Sequence, residues 1–261
     1  MKLLNASLAS LILSASCIVN IAQAGLLTYD FNAVDGTNSG FSDGAVLTSN
    51  SAADAQVVGN RLRLTNGTNN NKSAFHLTSL AGSANGFNVS FDFEIIAPAT
   101  GNPADGFAFS YGNLPFGSLS NKAEEGWSGS TPVISWEIDT YGDVGAGIAV
   151  DGTDIAGGFN YGKILNGGQT IFGQINIKLD AAGLTGFTST GAITNANFNG
   201  LASGFTLDNN YSFAIAARTG GSTQTLFIDN LKVETINVPE PSTLAIFALS
   251  ILGLVSRRFK K

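Results

Sequence analysis

The nine residues Phe87-Asn88-Val89-Ser90-Phe91-Asp92-Phe93-Glu94-Ile95 alternate apolar and polar without a break. Wound into a helix, that pattern would scatter its apolar side chains around the axis. On an extended strand, successive side chains point to opposite faces, so the same pattern gives one apolar face and one wet face. Segments 61–65, 107–111, 133–139, 148–150, 174–179, 211–217 and 226–233 read as further strands, most with the same period of two. Asn66-Gly67, Asp151-Gly152, Asn166-Gly167 and Gly220-Gly221 supply turns between them. No long segment of the body has a period near 3.6, and no repeat recurs at a fixed spacing. A sheet with one apolar face has to bury it against a second layer. The pattern therefore predicts an all-β body, an antiparallel β-sandwich of the jelly-roll kind.

Composition supports many short strands joined by tight turns. Of 261 residues, 32 are glycine and 18 phenylalanine, and only 12% are charged, which is too apolar a mixture for a disordered chain.

Both ends depart from this pattern. Met1-Lys2 is a short positive start, residues 3–21 are mostly apolar, and Ala22-Gln23-Ala24 is a small-x-small cleavage site. This reads as a signal peptide over 1–24, removed by signal peptidase to leave Gly25 as the first mature residue. Cys17 lies inside it. A lipoprotein signal would carry an apolar residue three positions earlier, where Ser14 stands, so ordinary cleavage is favoured over lipidation of Cys17. At the other end, Pro239-Glu240-Pro241 precedes an uncharged apolar run over 243–255, then Arg257, Arg258, Lys260 and Lys261. A run apolar on all faces and closed by a cationic cluster fits poorly as a buried helix of a globular domain. It also falls short of the about 20 residues a spanning helix needs, unless flanking residues are recruited or the membrane thins. The terminal cations favour the cytoplasmic side. Triplet, apolar run and basic end, in that order over 238–261, resemble the PEP-CTERM sorting signal of Gram-negative bacteria. The resemblance implies a short transmembrane helix that holds the protein in the inner membrane until an exosortase cuts near Pro239, Glu240 and Pro241. The product would then reach the cell surface or the extracellular space.

Between the two ends, residues 25–237 make one domain's worth of chain. Without Lys2, Arg257, Arg258, Lys260 and Lys261 the basic residues fall from 13 to 8, and without Glu240 the acidic ones from 19 to 18. The body then stands near −10, which argues against nucleic acid and anionic lipid as partners, since both need clustered cations. It is compatible with cations and with neutral glycans. With Cys17 lost, the body has no cysteine and no disulfide, so its stability comes from a core or from bound ions.

The chemistry-bearing residues gather in two stretches, Pro103-Ala104-Asp105-Gly106-Phe107-Ala108-Phe109 and Val133-Ile134-Ser135-Trp136-Glu137-Ile138-Asp139-Thr140-Tyr141-Gly142-Asp143. Glu137 and Asp139 are two apart on a strand, so both carboxylates leave one face while Trp136 and Ile138 leave the other. Adjacent carboxylates repel unless a cation sits between them or one holds a proton. Calcium takes six to eight oxygen ligands, carbonyls included, and Asp143 with the Tyr141 carbonyl could complete such a shell. The alternative is a solvated polar face beside an acidic loop. Asp105 could accept hydrogen bonds from sugar hydroxyls, with Gly106 letting the ligand approach, or Asp105-Gly106 could be a turn entering a strand. Trp127 could stack on a sugar face or fill the edge of the core.

Together these stretches resemble the legume-type (L-type) lectins and their bacterial relatives in the concanavalin-like superfamily. The loop Glu124-Glu125-Gly126-Trp127 and the closing Phe227-Ile228-Asp229-Asn230-Leu231-Lys232-Val233 look similar to bacterial surface proteins of this type, and the likeness spans roughly residues 28–235. The resemblance implies that Asp105 is a sugar-binding aspartate and that Glu137 and Asp139 are metal ligands. Asp143 stands where the family carries asparagine, which keeps an oxygen ligand and adds a charge. The family's transition-metal site uses a histidine downstream. This chain has only His76, upstream, so that site is not expected.

The same superfamily includes β-glucanases, whose strand pattern adds a third carboxylate four or five residues after the first. Retaining hydrolysis needs two carboxyls about 5 Å apart. Here those positions are Tyr141 and Gly142, which argues against an enzyme. With one histidine and no body cysteine, nucleophile elbows and phosphate loops are also missing. Two functions remain open: a surface protein that binds glycan or exopolysaccharide, and a structural matrix protein without a working sugar site. A divergent β-glucanase is the third reading.

Overall fold

The computed structural model describes residues 25–120, 127, 132–141, 145–157, 167–189, 197–199 and 205–236. The expected signal peptide, the expected sorting tail with Pro239, Glu240 and Pro241, and also Asp143, Glu124 and Glu125, lie outside the described residues. One compact unit spans Gly25–Ile236.

Its strands in chain order are β1 (Leu26–Tyr29), β2 (Val46–Ser49), β3 (Gln56–Val58), β4 (Arg61–Asn66), β5 (Lys72–Leu77), β6 (Phe87–Ile96), β7 (Gly106–Gly112), β8 (Val133–Asp139), β9 (Gly145–Val150), β10 (Thr153–Gly157), β11 (Thr170–Asp180), β12 (Gly183–Thr188), β13 (Asn197–Asn199), β14 (Ser212–Arg218) and β15 (Thr225–Thr235). They form an eight-stranded sheet, β13-β12-β11-β6-β15-β4-β3 with β1 also on β15, and a seven-stranded sheet, β10-β9-β8-β7-β14-β5-β2. Every described pairing is antiparallel. The all-β sandwich read from the alternation is the fold observed.

The core lies between the sheets. β6 turns Phe87, Val89, Phe91, Phe93 and Ile95 inward and leaves Asn88 exposed and Ser90, Asp92 and Glu94 part-exposed. β7, β8 and β14 answer with Phe107, Phe109, Tyr111, Trp136, Ile138, Phe213 and Ile215, all buried. The rings of Phe87, Tyr111 and Phe213 meet with centroids 4.7 to 5.0 Å apart. Each such side chain contributes about 1.5–3 kcal/mol of burial. Across the sandwich from Trp136, β12 carries Gly186. A Cβ there would lie 1.8 Å from the Trp136 Nε1, so the indole fits only against bare backbone.

β15 departs from simple alternation. Leu226 and Ile228 face the core, but so do Leu231 and Val233. The register against β6 shifts between Asp229 and Lys232, and Asn230 has φ 51°. This is a bulge, whose extra residue restores the inward direction.

A second, smaller core covers the outer face of the seven-stranded sheet. It joins Ala74, Ala214, Ala216, Val133, Leu114 and Trp127. β5, β7 and β14 are thus buried on both faces over most of their length.

Candidate functional site

The register of the seven-stranded sheet brings the chemistry-bearing residues to one end of it. In the last row, Arg218 of β14 pairs with Gly106 of β7, which pairs with Asp139 of β8, which pairs with Gly145 of β9. Two residues in, and so on the same face, stand Ala216, Ala108, Glu137 and Gly147. Each carboxylate is therefore flanked on both neighbouring strands by alanine or glycine. On the sheet the two carboxylates thus stand in a trough of small side chains.

Asp105 stands at the mouth of this row. The Ala104–Asp105 peptide is cis. The Asp105 N–H donates to the Arg218 carbonyl at 2.9 Å, and the Asp105 carbonyl accepts from the Thr140 N–H at 2.9 Å. These two bonds tie the residue to both flanking strands. Arg218 Nε donates to Asp105 Oδ2 at 2.9 Å, with the carboxyl side chain 14% exposed. On the far side is Gly220, where a Cβ would come within 3.0 Å of Oδ2. Arg218 and Gly220 lie more than a hundred residues downstream of Asp105. Only the pairing of β14 with β7 brings them there.

Gly106 serves the backbone. Its φ is 140°, and a Cβ would lie 2.0 Å from the Ile138 carbonyl oxygen. Whether or not Gly106 or a nearby loop also admits a ligand, close strand pairing requires a glycine here, and this fixes the direction of Asp105.

Glu137 is 2% exposed, and Asp139 is half-buried at the sheet edge. Asp139 Oδ1 accepts the Tyr141 N–H at 2.7 Å, closing a local turn. Thr140 Oγ1 donates to Gln224 Oε1 at 2.7 Å, which ties the end of β8 to the start of β15 in the other sheet. The Tyr141 ring is 54% exposed, so beyond its carbonyl the residue presents an aromatic surface beside Asp139.

Trp127 is a correction. It is 2% exposed, packed in the second core, with its indole edge-on to His76 at 5.2 Å. Of the two roles read from the sequence, the buried position leaves no ring face for a sugar. His76 lies three strands from Glu137, on β5. Its Nε2 is 2.8 Å from the Ser118 carbonyl, which can only accept, so Nε2 carries the proton. Burial holds its pKa below the usual histidine value, against the pull of that hydrogen bond.

Comparison with known proteins places this geometry. Peanut lectin superposes with a TM-score of 0.61 at 16% identity, over 84% of this chain and 100% of that one. Lectin I-B4 from Griffonia simplicifolia, in its metal-free form, gives 0.59 at 17% identity over 82% and 99%. The exoplasmic/lumenal domain of VIP36, in a Ca2+/Man3GlcNAc-bound form, gives 0.60 at 14% over 85% and 95%. The body has the legume-lectin fold. Residues 237–261 match the PEP-CTERM protein-sorting motif. No curated protein matches the chain in sequence. Among the described residues no helix is long and apolar enough to cross a membrane.

Within this lectin-like body the donor set near β8 is all oxygen, with Glu137, Asp139 and the Tyr141 carbonyl sharing one sheet end. Such a set fits calcium and not a softer ion. Among the described residues no three His, Cys, Asp or Glu side chains converge.

Proposed function

We propose that this is an exported glycan-binding protein, sorted by an exosortase at its PEP-CTERM tail, whose sugar site lies at the Asp105 end of the seven-stranded sheet. Asp105 accepts hydrogen bonds from sugar hydroxyls. The Tyr141 ring offers a stacking face, and Gly220 leaves the approach open. Calcium bound by Glu137, Asp139, the Tyr141 carbonyl and Asp143 fixes the loop after β8 and so the position of Thr140, which holds the Asp105 carbonyl. The lectin neighbours, the Tyr141 and Gly142 that stand where a hydrolase strand carries its third carboxylate, and the position of the chain's single histidine on β5 favour binding over hydrolysis. The ligand is a surface or matrix exopolysaccharide.

The observation that carries this reading is the placement of Asp105. A partly exposed carboxylate is held by two backbone hydrogen bonds, between a guanidinium and a glycine, beside an acidic trough. The test is glycan-array binding by the purified protein with calcium and again with EDTA. Binding that requires calcium and disappears in Asp105→Ala supports the reading. Hydrolysis products that vanish in Glu137→Gln would instead make it a glucanase.

The Asp105–Arg218 ion pair also favours a second reading, in which the aspartate only ties β7 to β14 in a structural matrix protein. In that case Asp105→Ala lowers stability, and no glycan binds the wild type in either condition.

A further inference from the structure

The outer face of the eight-stranded sheet is open, and at one end it forms a groove of ≈ 530 Å³. Two adjacent rows build it. In the first, Phe172 of β11 lies opposite Glu94 of β6, which lies opposite Phe227 of β15. In the second, Gln174 lies opposite Asp92, which lies opposite Asp229. Phe172 is 75% exposed and forms one wall. Phe227 forms the other and is capped by the Arg61 guanidinium, 4.2 Å from its ring centroid.

Charge decides what the groove suits. Arg61 is committed to Glu94 and to the Phe227 face. Asp92 and Asp229 sit directly across from each other, and among the described residues neither forms an ion pair. Asn230 at the bulge bridges them, donating from its Nδ2 to Asp92 Oδ2 at 2.7 Å and from its N–H to Asp229 Oδ1 at 2.8 Å, and Gln174 Nε2 donates to Asp92 Oδ1 at 3.4 Å. Two neighbouring carboxylates in a half-buried setting favour a cation between them. Burial raises the pKa of Asp229 above the ordinary aspartate value, with repulsion from Asp92 adding to it and the Asn230 N–H and the Arg61 charge opposing it.

We propose that this groove is a second carbohydrate site, selective for a pyranose that carries a free primary ammonium, the hexosamine unit of a de-N-acetylated glycan. The ammonium sits between Asp92 and Asp229, the apolar C–H face of the ring lies on Phe172, and Gln174 and Ser189 meet the hydroxyls. A plain ammonium ion would use neither the exposed ring nor the amide. A neutral sugar would leave the carboxylate pair uncompensated. The adjoining groove of ≈ 510 Å³ on the same face carries Lys178, and Lys232 paired with Glu234, in place of an unpaired carboxylate couple. The inference rests on the glycan-binding reading but uses different residues, on the opposite sheet from Asp105.

The test is calorimetric titration of the purified protein with a β-1,4-glucosamine tetramer, its fully N-acetylated counterpart and a lysine hexapeptide. The glucosamine tetramer binds at least about tenfold more tightly than the acetylated one. Asp92→Asn and Phe172→Ala each weaken it at least about tenfold, with unchanged melting temperatures, while Asp105→Ala leaves it intact. Equal binding of both tetramers overturns the proposal, as does equal binding of the lysine peptide. If binding fails in Asp105→Ala and survives in Asp92→Asn, the second site is wrong and the Asp105 site stands. If the glucosamine tetramer binds through Asp92 while no array glycan binds through Asp105, the first site is wrong and this one stands.

Discussion

Two glycines carry much of what holds this site and its core in place, for different reasons. Gly106 combines a φ that side chains rarely adopt with a carbonyl oxygen where its Cβ would be. Replacing it with alanine forces β7 away from β8, and with it the direction of Asp105. Gly106→Ala is expected to cost about 3 kcal/mol or more, as backbone strain and overpacking add. A urea midpoint equal to that of the wild type would contradict this. Gly186 has no such φ, and its constraint is contact alone. Gly186→Ala drives a methyl into the Trp136 indole and should cost about 1–3 kcal/mol. The double change Gly186→Ala with Trp136→Phe should recover part of that loss, since the smaller ring withdraws from the same space. If the two costs simply add, the contact is not the cause.

At the scale of an element, β5 shows how burial of both faces couples stability to pH. Its His76 lies under Phe116 and Trp127 in the second core, neutral, with its pKa lowered chiefly by desolvation. The unfolded chain takes up a proton near pH 6.5, above the folded value, so the stability from this neutral histidine is complete above pH 6.5. It is lost as pH falls from 6.5 through the folded pKa. His76→Gln should flatten the decline in melting temperature between about pH 7 and pH 5, and an unchanged slope would rule this out. The same double burial explains which elements the sequence reveals. β6 is legible because one of its faces is core and the other solvent. In β5, which the alternation does not mark, the outward Ala74 and His76 are themselves buried, so the polar half of the pattern is lost, whereas β14, also buried on both faces, is read as a strand over 211–217. β15 is legible as a strand, but its bulge is not, because two inward pairs simply change phase at Asp229-Asn230. In the site, Asp105, Glu137 and Asp139 could be read from short motifs. Arg218 and Gly220 could not, because nothing local in their sequence foretells that β14 pairs with β7. The core role of Trp127 could not be told from a stacking one in the sequence, because its clustering with Ala74, Ala214 and Ala216 of other strands decides it.

On the whole-molecule scale, a cysteine-free body with a net charge near −10 gathers two of its carboxylates, Glu137 and Asp139, in a trough at one sheet end. In the proposed function, calcium held there by Glu137 and Asp139 would stabilise the folded state. Binding to the folded state alone stabilises it by about 2.7 kcal/mol at a hundredfold excess of ligand over Kd. For a domain of this size that raises the melting temperature by about 5–10 °C. Calcium added to the EDTA-treated protein should produce this rise, magnesium a smaller one because it demands a tighter octahedral shell, and fresh EDTA should reverse it. Glu137→Gln, close in shape to the native side chain, should abolish the response. Asp105→Ala should keep the calcium response and lose only the sugar. A melting curve indifferent to calcium, in a protein that still binds glycan, would show that the trough is held by its own hydrogen bonds and that the sugar site needs no ion.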